Sequence, residues 1–222
     1  MRRKQAAEAE PPPGAERRRD VRQASLLEVA KLGIGGHEEL CRLRGVSADG
    51  LRAEVYCPAA AGERVAIELR TGHCIVGHVS WADGGIVGVS FDEPTPMMEM
   101  LSHCSFDERV TSVRSPRLTV DVEATLFVDH FKLPARISNI SQSGLKLMLD
   151  DMFDADTPCT IAIDHLGPLP GEIKWWRDGE GGVMFEELIP YPAFADWRLA
   201  LNPGWRMAGE AACGPAAWFP PP

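Results

Sequence analysis

Arginines and short polar side chains are the residues of this chain best suited to bind a ligand. Four guanidinium groups fall within six positions, at Arg17, Arg18, Arg19 and Arg22. A guanidinium can bond phosphate oxygens or the O6/N7 edge of guanine, and it also stacks on bases. Such a patch suits a small anion. The formal net charge of −9, by contrast, argues against nonspecific binding of long nucleic acid. The alternative is a group of solvated arginines at a domain edge.

A second polar segment runs from Asn139 to Gly144, with the sequence NISQSG. Asn and Ser side chains bond nearby backbone groups, and glycine takes a positive φ at little cost, so the segment favours a turn. Downstream, Leu145, Leu147 and Leu149 alternate with polar or longer side chains, which is the period of a half-buried strand. We therefore expect a turn between two strands.

A similar turn sequence occurs 94 positions upstream, so that Ser47 corresponds to Ser141. The offset holds without a gap at Arg42/Arg136, Gly50/Gly144, Leu51/Leu145, Ile67/Ile161, Gly77/Gly171, Trp81/Trp175, Gly88/Gly182, Val89/Val183, Phe91/Phe185 and Glu93/Glu187. A repeat of roughly 100 residues is too long for a solenoid unit and predicts a duplicated domain.

Each half contains six short runs with strand periodicity, separated by Gly, Pro or Asp. They are Ser25–Leu32, Leu40–Val46, Leu51–Tyr56, Arg64–Arg70, Ile75–Trp81 and Ile86–Phe91, then Leu118–Val128, Phe131–Ile140, Gly144–Leu149, Pro158–Ile163, Gly171–Trp176 and Gly182–Phe185. This pattern predicts an all-β protein built from antiparallel barrels or sandwiches.

Four segments follow from the repeat and from composition. We predict a flexible leader over residues 1–16, a first unit over 17–106, a second unit over 107–201 and a loosely ordered tail over 202–222. Short helices are expected at Met97–Phe106 and Phe194–Leu201, with Trp197 as an anchor. The recurring Trp81, Trp175, Phe91 and Phe185 alternate with polar neighbours, so core packing is predicted for them in preference to base stacking.

The cysteines and histidines predict neither disulfides nor a metal site. There is no CxxC pair and no export signal, so the six cysteines are expected to be reduced and mostly packed. His73, Cys74, His78, His103 and Cys104 match no ligand spacing. No apolar run approaches the roughly 20 residues of a membrane span. We expect a cytoplasmic protein with no membrane span.

The order of these motifs resembles the PilZ family, whose signature is RxxxR at the domain entrance followed by [D/N]xSxxG after the second strand. The resemblance implies two tandem six-stranded antiparallel PilZ-like β-barrels, each followed by a short helix. It also implies a receptor that binds cyclic di-GMP as its ligand and that uses no cofactor. Control of motility, exopolysaccharide production or the cell cycle would fit the family.

Neither half carries the whole signature. In the first, Arg18 and Arg22 match RxxxR with Arg19 between them, Ser47 and Gly50 match the turn, and Gly45 stands where Asp or Asn is expected. In the second, Asn139, Ser141 and Gly144 match, Arg117 takes the second arginine, Val113 replaces the first, and Arg114 follows it. Charge-assisted bonds contribute about 1.5–3 kcal/mol and neutral ones about 0.5–1.5 kcal/mol, so the first half keeps the stronger part.

Our first hypothesis is a receptor that relays cyclic di-GMP levels to a protein partner by changing the relative placement of its barrels. A degenerate PilZ-like adaptor or oligomerisation module is the alternative, motivated by Gly45 and Val113. An enzyme is the weakest hypothesis. Carboxylates fall near strand ends without forming an acid/base pair, at Asp83, Asp92, Glu93, Glu186 and Glu187.

Overall fold

The computed structural model describes residues 28–97, 99–101 and 115–206. Several sequence predictions lie outside these residues: the leader, most of the tail, and the side chains of Arg18, Arg19, Arg22 and Arg114. The predicted first strand is described only from residue 28 onwards.

Two closed six-stranded antiparallel barrels follow one another along the chain. The first contains β1 Val29–Ile34, β2 His37–Val46, β3 Gly50–Glu54, β4 Arg64–Glu68, β5 Cys74–Asp83 and β6 Ile86–Phe91. The second contains β7 Leu118–Val128, β8 Phe131–Ser141, β9 Gly144–Met148, β10 Thr157–Ile163, β11 Gly167–Arg177 and β12 Glu180–Phe185. The strand orders β1-β2-β3-β6-β5-β4 and β7-β8-β9-β12-β11-β10 are the same around both barrels. The predicted fold class is confirmed.

Helical structure is sparse. An α-helix, α1, spans Tyr191–Leu201 after the second barrel, and a 3-10 helix follows at Pro203–Arg206. Helix α1 begins three residues earlier than predicted because the prolines at positions 190 and 192 favour a helix start. Residues 97 and 99–101 are also helical. Within the described ranges, no helix is long and apolar enough to span a membrane.

Each barrel encloses its own apolar core, supplied by the inward-facing residues of its strands. Leu32, Leu43 and Ile67 are buried in the first core, while Ile137 and Ile173 are buried in the second. Fully burying one such side chain contributes about 1.5–3 kcal/mol, so the inward-facing positions stabilise each barrel substantially. Trp197 is 0% exposed in the second core, which confirms its predicted role as the anchor of α1.

Both barrels carry β-bulges at equivalent positions. The register shifts between Leu43 and Gly45 and between Val79 and Trp81 in the first barrel. In the second it shifts between Ile137 and Asn139 and between Ile173 and Trp175. One extra residue in a strand reverses the alternation beyond it.

The bulges overturn one sequence prediction. Trp81 and Trp175 do not pack in the cores; they lie on the outer surfaces, with exposures of 42% and 43%. An uninterrupted alternation would place them inward, but the bulge just before each tryptophan turns the side chain outward. Phe185 is buried as predicted, and Phe91 is half-buried against the first core.

A seam joins the two barrels. Leu40 and Tyr56 of the first barrel pack against the second core. The Tyr191 hydroxyl at the start of α1 donates to the Glu54 carbonyl oxygen at 2.9 Å. At the start of β7, the Thr119 N–H donates to Glu38 Oε2 at 2.8 Å. These contacts bring α1 and β7 against β2 and the segment after β3.

Candidate functional site

The two Ser-x-x-Gly turns connect β2 to β3 and β8 to β9, as predicted. The Ser47 hydroxyl donates to the Gly50 carbonyl oxygen at 3.0 Å, and the Ser141 hydroxyl donates to the Gly144 carbonyl oxygen at the same distance. Each serine therefore closes its own turn. Ser47 is half-buried, so its oxygen lone pairs remain able to accept a hydrogen bond from a ligand, whereas Ser141 is only 2% exposed.

The glycines of these turns are required by the barrel itself. A Cβ on Gly50 would lie 2.3 Å from the Val89 carbonyl oxygen, and a Cβ on Gly144 would lie 2.3 Å from the Val183 carbonyl oxygen. The close approach is thus between neighbouring strands. At Gly45 an added Cβ would meet only the Arg52 guanidinium, at 3.7 Å, so a side chain fits there.

A row of four cross-strand neighbours crosses the outside of the first barrel beside its turn. Gly45 on β2 pairs with Arg52 on β3, Arg52 pairs with Gly88 on β6, and Gly88 pairs with Trp81 on β5. The indole lies directly over Gly88, because a Cβ there would sit 2.2 Å from Trp81 Nε1. The row presents a cation and an aromatic side chain on one open face.

The first-barrel groove is the cavity above this row, with a volume of about 720 Å³. That volume lies within the range of small-molecule sites. The groove is lined by Arg44, Gly45, Val46, Ser47, Asp49, Gly50, Leu51, Arg52, Ser80, Trp81, Gly88, Val89 and Ser90. Arg44 is paired with Glu54. Arg52 makes no salt bridge within the described part of the chain, so its guanidinium charge remains available to an anion.

The second barrel repeats the row with different chemistry. Asn139, Lys146, Gly182 and Trp175 are cross-strand neighbours in the same order. The Lys146 ammonium is already paired with Glu180 at 2.8 Å. The Asn139 Oδ1 atom is buried and has no hydrogen-bond partner among the described residues. Within these two rows, the residues that the structure describes leave the Arg52 guanidinium without a salt bridge in the first barrel, and the buried Asn139 amide oxygen without a hydrogen bond in the second.

A further cavity of about 560 Å³ lies at the seam and touches the second turn. It is lined by Glu28, Val29, Arg42, Arg70, Ser115, Pro116, Gln142, Ser143, Leu188 and Tyr191. The Arg42 guanidinium carbon lies 4.4 Å from the centre of the Tyr191 ring. Burial raises the pKa of the Glu28 carboxyl, and the positive charge of Arg70 partly opposes this shift. Residues of both barrels therefore meet at one polar cavity, which we call the seam cavity.

The described site residues fall into two groups. Ser47 and Gly50 line the first-barrel groove. Asn139, Ser141 and Gly144 lie in or beside the second turn, and Arg117 is exposed just before β7. Sequence reasoning missed the groove cations Arg44 and Arg52, the tryptophans, and Arg42 and Arg70 of the seam cavity. The offset of 94 carried a signal for some of them, since a cation and a tryptophan recur at Arg52/Lys146 and Trp81/Trp175.

Cysteines and histidines contribute no visible metal centre in the described ranges. There, no three His, Cys, Asp or Glu side chains come together as metal ligands. His103 and Cys104 lie outside those ranges. Cys41, Cys57 and Cys159 are free and buried, and Cys74 is free and exposed. Burial raises the pKa of the Cys159 thiol to about 11.

Comparison with known families and structures gives one sequence match and several structural likenesses. The model of the PilZ domain matches residues 112–190. No curated protein matches this chain.

Among solved structures, PlzA of Borreliella burgdorferi in complex with c-di-GMP has 10% identity and a TM-score of 0.33, covering 78% of this chain and 87% of its own. YcgR of Escherichia coli in complex with c-di-GMP has 12% identity and a TM-score of 0.32, covering 82% and 85%. The Bacillus subtilis inhibitor of motility MotI/DgrA has 10% identity and a TM-score of 0.33, covering 83% and 100%.

Proposed function

We propose that this protein is a cytosolic receptor for cyclic di-GMP and not an enzyme, and the match of the PilZ domain model to residues 112–190 supports the proposal. The observation that carries the proposal is the first-barrel groove, in which Arg52 and Trp81 flank Gly88 beside the Ser-x-x-Gly turn. A cation, an exposed indole and a hydroxyl acceptor can each contact a different part of a guanine nucleotide.

The chemistry of the groove suits both parts of the ligand. One guanine stacks on the Trp81 indole, an interaction that contributes about 1–3 kcal/mol per base. The Arg52 guanidinium bonds a phosphate or the O6/N7 edge, and such a charge-assisted bond contributes about 1.5–3 kcal/mol. Ser47 accepts a hydrogen bond from the ligand while it keeps its own bond to Gly50.

The first barrel is the stronger of the two sites in this proposal. Its Arg52 charge is available, whereas the equivalent Lys146 is neutralised by Glu180. Arg18, Arg19 and Arg22 precede this barrel in the sequence, and the proposal assigns their guanidinium groups to the ligand as well. Arg114 and Arg117 take the same role for the second barrel, with Asn139 as its hydrogen-bonding group.

The second half of the proposal is a relay to a protein partner through the seam. The seam cavity is lined by β1, β2 and the second turn together, so a ligand or chain segment that enters it contacts both barrels. A change there would alter the placement of the barrels. Small-angle X-ray scattering with and without cyclic di-GMP would measure that change.

The experiment that tests receptor function is calorimetric titration of the folded protein with cyclic di-GMP. We expect binding that weakens about tenfold or more in Arg52→Ala and much less in Lys146→Ala. A larger loss of affinity in Lys146→Ala than in Arg52→Ala would place the stronger site in the second barrel. No binding by a folded wild type would contradict the proposal.

One structural observation favours the adaptor as a second candidate. Gly50, Gly144 and the serine hydroxyls are all explained by contacts within the barrels. A barrel could therefore keep these residues after losing its ligand. A negative titration together with a stable self-association or a captured partner would support this function.

A further inference from the structure

The outer face of the first barrel carries a second row of polar side chains, two residues from the Trp81 row along β3 and β6 and three along the bulged β5. Gly50 on β3 pairs with Ser90 on β6, Ser90 pairs with His78 on β5, and His78 pairs with Arg64 on β4. Two residues along a strand correspond to about 7 Å. The second row therefore adjoins the groove, which already includes Ser90.

Asp92 organises the basic end of this row. Its Oδ1 atom lies 2.9 Å from His78 Nδ1, and its Oδ2 atom lies 3.6 Å from the Arg64 guanidinium. Because Nδ1 faces the carboxylate, Nε2 lies on the far side of the imidazole ring. In the imidazolium form both ring nitrogens donate, one to Asp92 and one to a ligand.

Hydroxyl groups connect this cluster to the groove. The Ser80 and Ser90 hydroxyl oxygens lie 2.6 Å apart, between Trp81 on one side and His78 on the other. The outer face thus runs from the Arg52 guanidinium, past the indole and the two hydroxyls, to His78 and Arg64. A guanidinium group stands at each end of one continuous polar surface, and that of Arg64 is partly balanced by the Asp92 carboxylate.

The second barrel lacks the cluster. At the offset of 94, Pro158 replaces Arg64, Glu172 replaces His78, Met184 replaces Ser90 and Glu186 replaces Asp92. In these positions a carboxylate would repel an anion, and a thioether would form no charge-assisted bond with it. Exposed ion pairs such as Arg64–Asp92 add little to stability, so folding alone does not account for the cluster.

We infer that His78 and Arg64, oriented by Asp92, form a second anion subsite that binds the second phosphate of the cyclic dinucleotide, while Arg52 binds the first. This inference rests on the proposed receptor function. A ligand with two phosphates on opposite sides of its ring engages both ends of the face, whereas a mononucleotide engages one. The first barrel thereby selects a dinucleotide over a mononucleotide.

The test compares two probes, cyclic di-GMP and 5′-GMP, by calorimetric titration of the full chain. His78→Ala and Arg64→Ala should each weaken cyclic di-GMP binding about tenfold, because each removes a charge-assisted bond, and should leave 5′-GMP binding unchanged. The control variants are His130→Ala and Lys132→Ala, which remove exposed side chains at the start of β8 and its preceding turn. They should bind both probes as the wild type does.

The outcomes separate the two proposals. If wild type binds cyclic di-GMP and the His78 and Arg64 variants bind it equally well, the subsite is wrong while the receptor stands. If both probes weaken by the same factor, the cluster does not hold a second phosphate and the inference is also overturned. If folded wild type binds no cyclic di-GMP, the receptor function fails and the subsite fails with it.

Discussion

The Glu39 carboxylate on β2 receives two N–H groups of Arg198 on α1, so one ion pair joins the first barrel to the helix that follows the second. Arg198 Nε donates to Oε2 at 2.9 Å, and Nη2 donates to Oε1 at 2.5 Å. The Tyr56 hydroxyl donates to the same Oε2 at 2.7 Å. Glu39 is 0% exposed. The seam therefore contains a buried carboxylate whose charge is fully partnered.

Removing one member of this pair should destabilise the protein strongly. Arg198→Met leaves the Glu39 charge buried without its counter-charge, which costs about 3–5 kcal/mol in free energy of unfolding. The double variant Glu39→Gln/Arg198→Met should lose less, because no uncompensated charge remains. Urea denaturation measures both, with the exposed Lys132→Ala as the control, expected within about 0.5 kcal/mol of wild type. A single variant as stable as this control would refute the buried-charge argument.

The loss of stability on substituting a turn glycine should depend on the space around its Cβ position and not on ligand binding. Gly50→Ala and Gly144→Ala force a Cβ to within 2.3 Å of a carbonyl oxygen, so each should lose about 1–3 kcal/mol of stability without any ligand present. Gly45→Ala is the matched control, because its Cβ has room. Thermal unfolding of ligand-free protein provides the measurement. Equal stability of all three variants would argue against a steric role in the barrel.

Gly45→Asn should strengthen the first site by restoring the missing side chain of the signature. A Cβ at position 45 would meet only the Arg52 guanidinium, at 3.7 Å, so the new side chain starts without a clash with backbone. One neutral hydrogen bond contributes about 0.5–1.5 kcal/mol, which predicts a gain of roughly two- to tenfold in cyclic di-GMP affinity. Asn139→Gly makes the reciprocal change in the second barrel. An affinity that falls in Gly45→Asn would show that the groove needs the glycine.

Trp81→Ala should weaken binding while barely affecting folding. The indole is 42% exposed and lies on the outside of the barrel over Gly88, so its loss opens no core cavity. Loss of one stacked base costs about 1–3 kcal/mol of binding free energy. Titration with cyclic di-GMP measures this loss beside Trp175→Ala, the equivalent change in the second barrel. Unchanged affinity in Trp81→Ala would remove base stacking from the proposed site.

Glu28 should make stability depend on pH. Its pKa is raised above the ordinary value of 4.5 by burial, with Arg70 opposing, so folding favours the protonated form. The stability that this proton supplies is fully present below pH 4.5 and is lost as the pH rises through the raised pKa. Glu28→Gln stays neutral, so its stability relative to wild type should increase over that window.

Denaturation by urea at a series of pH values from 4 upwards tests the Glu28 prediction. The exposed Glu93→Gln is the control for a general effect of removing one carboxylate. The prediction fails if the stability difference between Glu28→Gln and wild type stays constant, or declines, as the pH rises.

The sequence by itself determined the barrels and their duplication. Strand periodicity and turn residues are local patterns, and the offset of 94 is visible without coordinates. The predicted bounds of β6 and β7 match the structure, and Trp197 anchors α1 as expected. The arginines at the first entrance remain a sequence prediction.

Only the tertiary structure decided which residues share a surface. A bulge depends on how two strands pair, so sequence alternation alone placed Trp81 inside when it lies outside. Glu39 and Arg198 lie 159 positions apart, and nothing in either neighbourhood indicates their contact. The groove likewise forms because strands that are distant in sequence close into a barrel, which brings Arg52, Trp81 and His78 onto one face. Long-range strand pairing, rather than local periodicity, therefore determines the composition of the candidate site.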